Sequence, residues 1–132
     1  MTCVLIDWTG EFDRWWQNIE ERQTLDVRSR QIAGIVGAQL DFLQDLRQMP
    51  VVQTLQFRRV VQSKEFPLWR VSHPRREDIA MRLVVWFPPF DGDLLLVVMG
   101  VNKARMGDIF YDGVGNRADN LIREYLRDEE NR

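Results

Sequence analysis

Two hydrophobic periods divide this chain. From Met81 the residues alternate, with Arg82, Val84 and Trp86 on one side and Leu83, Val85 and Phe87 on the other. That is the period of a strand, and one of its faces carries a cation. Leu94 to Val101 is apolar at nearly every position, which predicts a strand covered on both faces, near the centre of a sheet. Between the two, Pro88, Pro89 and Asp91-Gly92-Asp93 cannot continue a ladder, because proline lacks the donor and Asp-Gly favours a turn. The two strands are expected to pair as an antiparallel hairpin that delivers Lys103 and Arg105 at its end.

Helical spacing governs the flanks. Thr9 is a good N-cap for a helix with apolar positions Phe12, Trp15, Trp16 and Ile19. A second helix is expected from about Leu25 to Arg47, with Ile32, Ile35, Val36, Leu40, Leu43 and Leu46 as its stripe. Gly34 and Gly37 each cost it about 1 kcal/mol relative to alanine; they either admit another backbone or break the helix in two. Met49-Pro50 ends the helix and opens an extended, basic linker that runs past Arg58, Arg59 and Lys64. Cys3 to Ile6 reads as a short first strand and Leu68 to Ser72 as another, joined by the polar loop His73 to Asp78 to the Arg82 strand. The last helix, from near Asp112 or Asn116, has Ala118, Leu121, Ile122, Tyr125 and Leu126 on one face, and its charged tail from Arg127 to Arg132 should fray. Gly113 and Gly115 read as a loop rather than a phosphate cradle. The order predicts an α+β fold: a short N-terminal strand, two helices, an antiparallel three- to four-stranded sheet and a C-terminal helix.

Composition changes this picture little. With 132 residues, 45% of them hydrophobic, residues 1–132 are expected to form a single domain with its own core. No apolar run reaches membrane-spanning length, and the opening MTCVLIDW carries an acid where a signal peptide carries basic residues; a cytoplasmic protein without membrane association is expected. The lone Cys3 reads as a small core residue. Charge is more informative. Residues 56–105 hold nine Lys/Arg against five Asp/Glu, whereas residues 1–55 hold five against eight and residues 106–132 four against seven. A basic middle between acidic flanks suits one surface that meets an anion, and equally an ordinary solvated surface.

The ordered series of motifs carries a family resemblance. A first strand, a tryptophan-bearing helix and a long helix precede Pro50-Val51-Val52-x-Thr54-Leu55. Leu68-Trp69-Arg70, Met81-Arg82-Leu83-Val84, the Leu94 to Val98 strand with Gly100-x-Asn102-Lys103, Tyr111-Asp112 and Arg117-Ala118-Asp119 follow. From about Val4 to Leu126 the chain resembles the HigB-like, phage-derived branch of the RelE/ParE superfamily of type II toxin-antitoxin toxins. The resemblance implies a RelE-like fold and a ribosome-dependent mRNA endonuclease that inhibits translation. Its partners would be mRNA, the ribosome and a cognate antitoxin, of helix-turn-helix type, from an adjacent gene. It also implies metal-free chemistry with no cofactor, in which a 2′-hydroxyl attacks the adjacent phosphate. A ParE-like gyrase poison and a non-catalytic protein-binding domain are the alternatives.

On these residues the resemblance assigns Arg82 as the main phosphate clamp and Arg70 as its partner, since a guanidinium meets phosphate oxygens bidentately. Lys103 would bind phosphate or move a proton, and Tyr111 would stack on a base or donate a proton. Arg105, His73, Arg75 and Arg76 would contact RNA. Each has a plainer account. Arg82 can sit on an exposed face paired with an acid such as Asp93, Lys103 and Arg105 can be solvated loop cations, His73 can be a turn residue, and Tyr111 can cap the core. Of the tryptophans, Trp15 or Trp16 should pack on the sheet, leaving Trp69 and Trp86 as those able to meet a base.

Overall fold

The computed structural model describes residues 5–46, 53–60, 65–73, 79–105 and 109–130, and the side chains of all of these except 105 and 109–112. Strand β1 spans Leu5–Trp8, helix α1 Gly10–Arg22 and helix α2 Val27–Gln44; strands β2, β3, β4 and β5 span Phe57–Arg59, Leu68–Ser72, Met81–Trp86 and Leu94–Asn102. A 3₁₀ turn, Lys103–Arg105, leads toward helix α3, Ile109–Glu130.

The fold is α+β, as the periodicity predicts, with four antiparallel strands among the described residues, but the first strand joins their sheet in parallel. The sheet has five strands in the order β1-β5-β4-β3-β2. β2 to β5 form an antiparallel meander, whereas β1 runs parallel to β5, so the sheet is mixed rather than antiparallel. The reason is topological. The α1–α2 crossover carries the chain from β1 to the far edge, and the meander then returns one place at a time until β5 lies beside β1. β5 therefore has a partner on each side, in agreement with its unbroken apolar run.

Both faces are covered, and the alternation in β4 divides the core between them. Leu83 and Val85 join Phe12, Ile35, Val36, Leu43, Phe57, Trp69, Val71, Leu95 and Val97 beneath α1 and α2. Val84 and Trp86 join Leu68, Leu96, Val98, Val114, Ala118 and Ile122 beneath α3. A bulge at Val84/Val85 interrupts the β4–β5 register without changing this division.

Local chemistry sets the helix starts. Thr9 caps α1 by accepting the Phe12 N–H at 3.1 Å, and its hydroxyl also donates to the Val98 carbonyl at 2.6 Å, which fastens the helix start to β5. Asp26 caps α2 by accepting from the Ser29 N–H (2.6 Å) and hydroxyl (3.0 Å). Trp15 packs on the sheet where Gly100 leaves room: a Cβ at Gly100 would lie 2.6 Å from the indole and 3.0 Å from Leu83.

Several boundaries differ from expectation. β1 lies further along than Cys3 to Ile6, and Cys3 and Val4 fall outside the described residues. α2 is continuous through Gly34 and Gly37, around which a Cβ would meet nothing within 4 Å, so neither glycine breaks the helix or receives another backbone. The basic stretch expected as a linker supplies β2, which is too short and too polar to show a period of its own. α3 starts at Ile109 and stays helical through Gly113, Gly115 and Glu130, rather than looping early or fraying from Arg127. Burial of Val114 against the sheet outweighs the poor helix propensity of its glycine neighbours.

Candidate nucleic-acid interface

The period of two that places Val84 and Trp86 beneath α3 also turns Arg82 to that face. The same rule on β3, where Leu68 faces α3 and Trp69 and Val71 face the other helices, turns Arg70 to the α3 side. Register brings them together. Ser72 pairs with Arg82 and Arg70 with Val84, which makes the two arginines diagonal neighbours, about 7–8 Å apart at the backbone. On the other side of β3, Arg58 of β2 lies directly opposite Arg70. Three guanidinium-bearing residues thus occupy one face on three adjacent strands.

This face is only partly roofed. α3 buries its Val114, Ala118 and Ile122 over Leu68, Val84, Trp86, Leu96 and Val98. Arg70 and Arg82 are half-buried and Arg58 is exposed. Among the described residues Arg58 has no ion-pair partner.

Arg82 is held by the strand ends around it. One of its terminal nitrogens donates to the His73 carbonyl at 3.2 Å and to the Met81 carbonyl at 3.0 Å. The surface pairing with Asp93 does not form: Arg82 is level with Val101, whereas Asp93 lies before the start of β5, roughly 25 Å away at the rise of an extended strand.

Lys103 arrives at the same end of the sheet. Its N–H donates to the Ala80 carbonyl at 2.9 Å, which sets it beside the first residues of β4. Asn102 fixes this junction, its Oδ1 accepting from the Ala80 N–H at 2.8 Å and the Ala104 N–H at 3.2 Å. That asparagine belongs to the Gly100-x-Asn102-Lys103 motif, and its amide oxygen ties the end of β5 to the start of β4.

The remaining candidates do not all gather here. His73 shares a backbone with the site, but it lines a hollow of about 270 Å³ with Arg30, Gly34, Ala38 and Ile79, on the α2 side. Tyr111 lies in the first turn of α3 and Arg105 in the 3₁₀ turn, and the side chains of both are outside the description. Arg75 and Arg76 lie outside the described residues altogether. Trp69 and Trp86, the tryptophans expected to be able to meet a base, are only 6% and 4% exposed, so neither offers an open ring face. Burial in the two core clusters is the reason.

Arg58, expected only as part of a basic linker, is instead a strand residue of this face. Alternation in Phe57-Arg58-Arg59-Val60 separates Arg58 from Phe57, but only the pairing of β2 with β3 sets it opposite Arg70. Among the described residues, no group of three or more His, Cys, Asp or Glu side chains is placed to hold a metal ion. Searches against family models, curated proteins and solved structures give no match to this chain.

Proposed function

We propose that this chain is a toxin of the RelE/ParE superfamily, HigB-like, which cuts mRNA on the ribosome and is held inactive in the cytoplasm by a cognate antitoxin. The observation that carries the reading is the set of Arg58, Arg70 and Arg82 on one face of three adjacent strands, with Lys103 at the same sheet end. The order of elements agrees with the RelE-like layout, apart from the parallel pairing of β1.

In the proposed reaction the 2′-hydroxyl of one nucleotide attacks its own 3′-phosphate, giving a cyclic phosphate and a free 5′-hydroxyl on the next. Arg82 and Arg70 stabilise the charge that accumulates on the pentacoordinate phosphorus, which is where a fixed cation acts most strongly. Arg58 holds a neighbouring phosphate. Lys103 adds a point charge beside Arg82 or passes a proton, and Tyr111 stacks on a base or protonates the leaving oxygen. With a formal charge of −2 over the whole chain, phosphate contact is favoured at this face, and affinity falls with salt in proportion to the few phosphates that it neutralises.

Induced expression without a partner tests the proposal. Growth arrest with codon-phased breaks in primer-extended transcripts is expected. Arg82→Ala should lower cleavage by about 10²–10³ while the circular dichroism of the fold is retained. Stalled replication with intact messages would favour the gyrase-poison alternative, and full toxicity of the folded variant would remove Arg82 from the site.

A further inference from the structure

The far end of the same sheet carries a hollow that the proposed reaction does not use. It lies between the segment before β3 and the β4–β5 turn, and its volume is about 920 Å³. Arg82 is level with Val101 and Trp86 with Leu96, so the hollow begins roughly 13 Å along β4 from the arginine face. Phe66 and Pro67 form one wall, and Phe87, Pro88 and Pro89 the other. Trp69 and Trp86 present buried edges at its base.

Two aromatic series brace these walls. Phe57 contacts Trp69 at 5.1 Å and Phe87 at 6.3 Å between ring centroids. Phe66 meets Trp86 edge-on at 5.1 Å. The walls are thereby fixed in place by the core of both sheet faces, as expected of a preformed site, and the volume falls within the roughly 300–1,000 Å³ of small-molecule pockets.

The polar groups at the rim decide the charge of the occupant. Glu65 is committed to an ion pair with Arg123, and Asp91 accepts the Asp93 N–H at 3.0 Å within the turn. The carbonyl oxygen of the Gln53 side chain accepts the Arg59 N–H at 2.9 Å. The exposed guanidinium of Arg59, by contrast, makes no hydrogen bond or ion pair among the described residues. An aromatic and prolyl cleft whose β2 side carries the exposed Arg59 guanidinium, separated by β3 from the acid-bearing β4–β5 turn, suits a planar ring that sets a negative charge against Arg59.

We propose that this hollow is a binding site for a small aromatic anion, separate from the arginine face and independent of any nuclease activity. The full-length protein can be titrated calorimetrically with 8-anilinonaphthalene-1-sulfonate, an aromatic sulfonate, and with uncharged N-phenyl-1-naphthylamine. One saturable site is expected for the sulfonate, with its affinity at least tenfold lower in Arg59→Ala and the uncharged analogue unaffected by that change. Gly92→Trp should abolish binding of both: Gly92 lines the hollow and a Cβ there meets nothing within 4 Å, so a bulky side chain can be placed at the rim to occlude it. Near-UV circular dichroism of each variant verifies folding. Competition by adenosine 5′-monophosphate would extend the aromatic anions that the site accepts to nucleotides, and its failure, with the sulfonate still bound at one saturable site, would restrict them to anions without a ribose phosphate. Binding of the sulfonate that is unchanged in both folded variants, or that never saturates, would overturn the proposal. Loss of toxicity in Arg82→Ala leaves this result untouched, so the two ideas fail separately.

Discussion

The two faces of the sheet are built differently. Beneath α1 and α2 the contact is almost entirely apolar, with Phe12, Val36 and Leu43 fully buried and one amide, Gln39, donating to the Val71 and Met81 carbonyls at 3.3 and 3.2 Å. Beneath α3 the apolar contact is narrower and polar clasps reinforce it. The buried Asp119 accepts the Glu65 and Phe66 N–H groups at 3.2 and 3.4 Å, the Tyr125 hydroxyl donates to Asp7 at 2.7 Å, and Arg117 and Arg123 pair with Glu11 and Glu65. The difference teaches where chemistry can be placed. The face covered by two helices fills its central strand positions with apolar side chains, whereas the one crossed by a single helix leaves strand positions where arginines are only half-buried.

That contrast predicts unequal costs. The largest should come from the two-helix face. Phe12→Ala removes a fully buried ring that contacts Trp8 and Trp15, each at 5.5 Å, and should cost about 3–5 kcal/mol. The measurement is the urea midpoint at unchanged slope. A loss below about 1 kcal/mol would mean that this face is not the main source of stability.

Asp119→Ala should be next. It leaves the Glu65 and Phe66 N–H groups without their acceptor and should cost about 1–3 kcal/mol. Hydrogen exchange should accelerate in α3 while α1 and α2 stay protected. Uniform acceleration across all helices would erase the distinction between the faces.

Arg58→Ala should change stability by no more than about 0.5 kcal/mol, because the side chain is exposed. Its signature should instead be in binding. The logarithmic salt dependence of association with a single-stranded RNA oligonucleotide should flatten by about one unit of slope. An unchanged slope would remove Arg58 from the phosphate-binding face.

The smallest effect belongs to a helix start on the two-helix side. The Ser29 backbone N–H, helped by its hydroxyl and by the charges of Arg22 and Arg30, holds the Asp26 carboxyl below its ordinary value. A depressed folded value means that the contribution is complete above the ordinary carboxylate pKa and is lost as pH falls through the folded value. In Asp26→Asn this pH-dependent contribution is absent. The stability advantage of the native chain over the variant should therefore shrink as pH falls below the ordinary carboxylate range, and a constant difference would contradict it.

Much of this molecule was legible in its residues. The stripe in α1, the cap at Thr9, the β4–β5 hairpin and the α3 face all follow from local period and capping chemistry, and so does the α+β class. The separation of Arg82 from Leu83 onto opposite faces follows from alternation alone. β2 and the parallel pairing of β1 were not legible, because a strand of three residues has no period and the direction of an edge strand depends on a crossover far from it.

The candidate site divides along the same line. Its residue types and the face of each strand were written in the sequence, since side-chain direction in a strand is a local property. Which cations meet was decided only by tertiary pairing: register set Arg58 against Arg70 and Arg70 diagonal to Arg82. It also carried His73 toward α2 and buried Trp69 and Trp86. Register is fixed by the simultaneous fit of two cores on the two sides of one sheet, and no single stretch of chain contains that information.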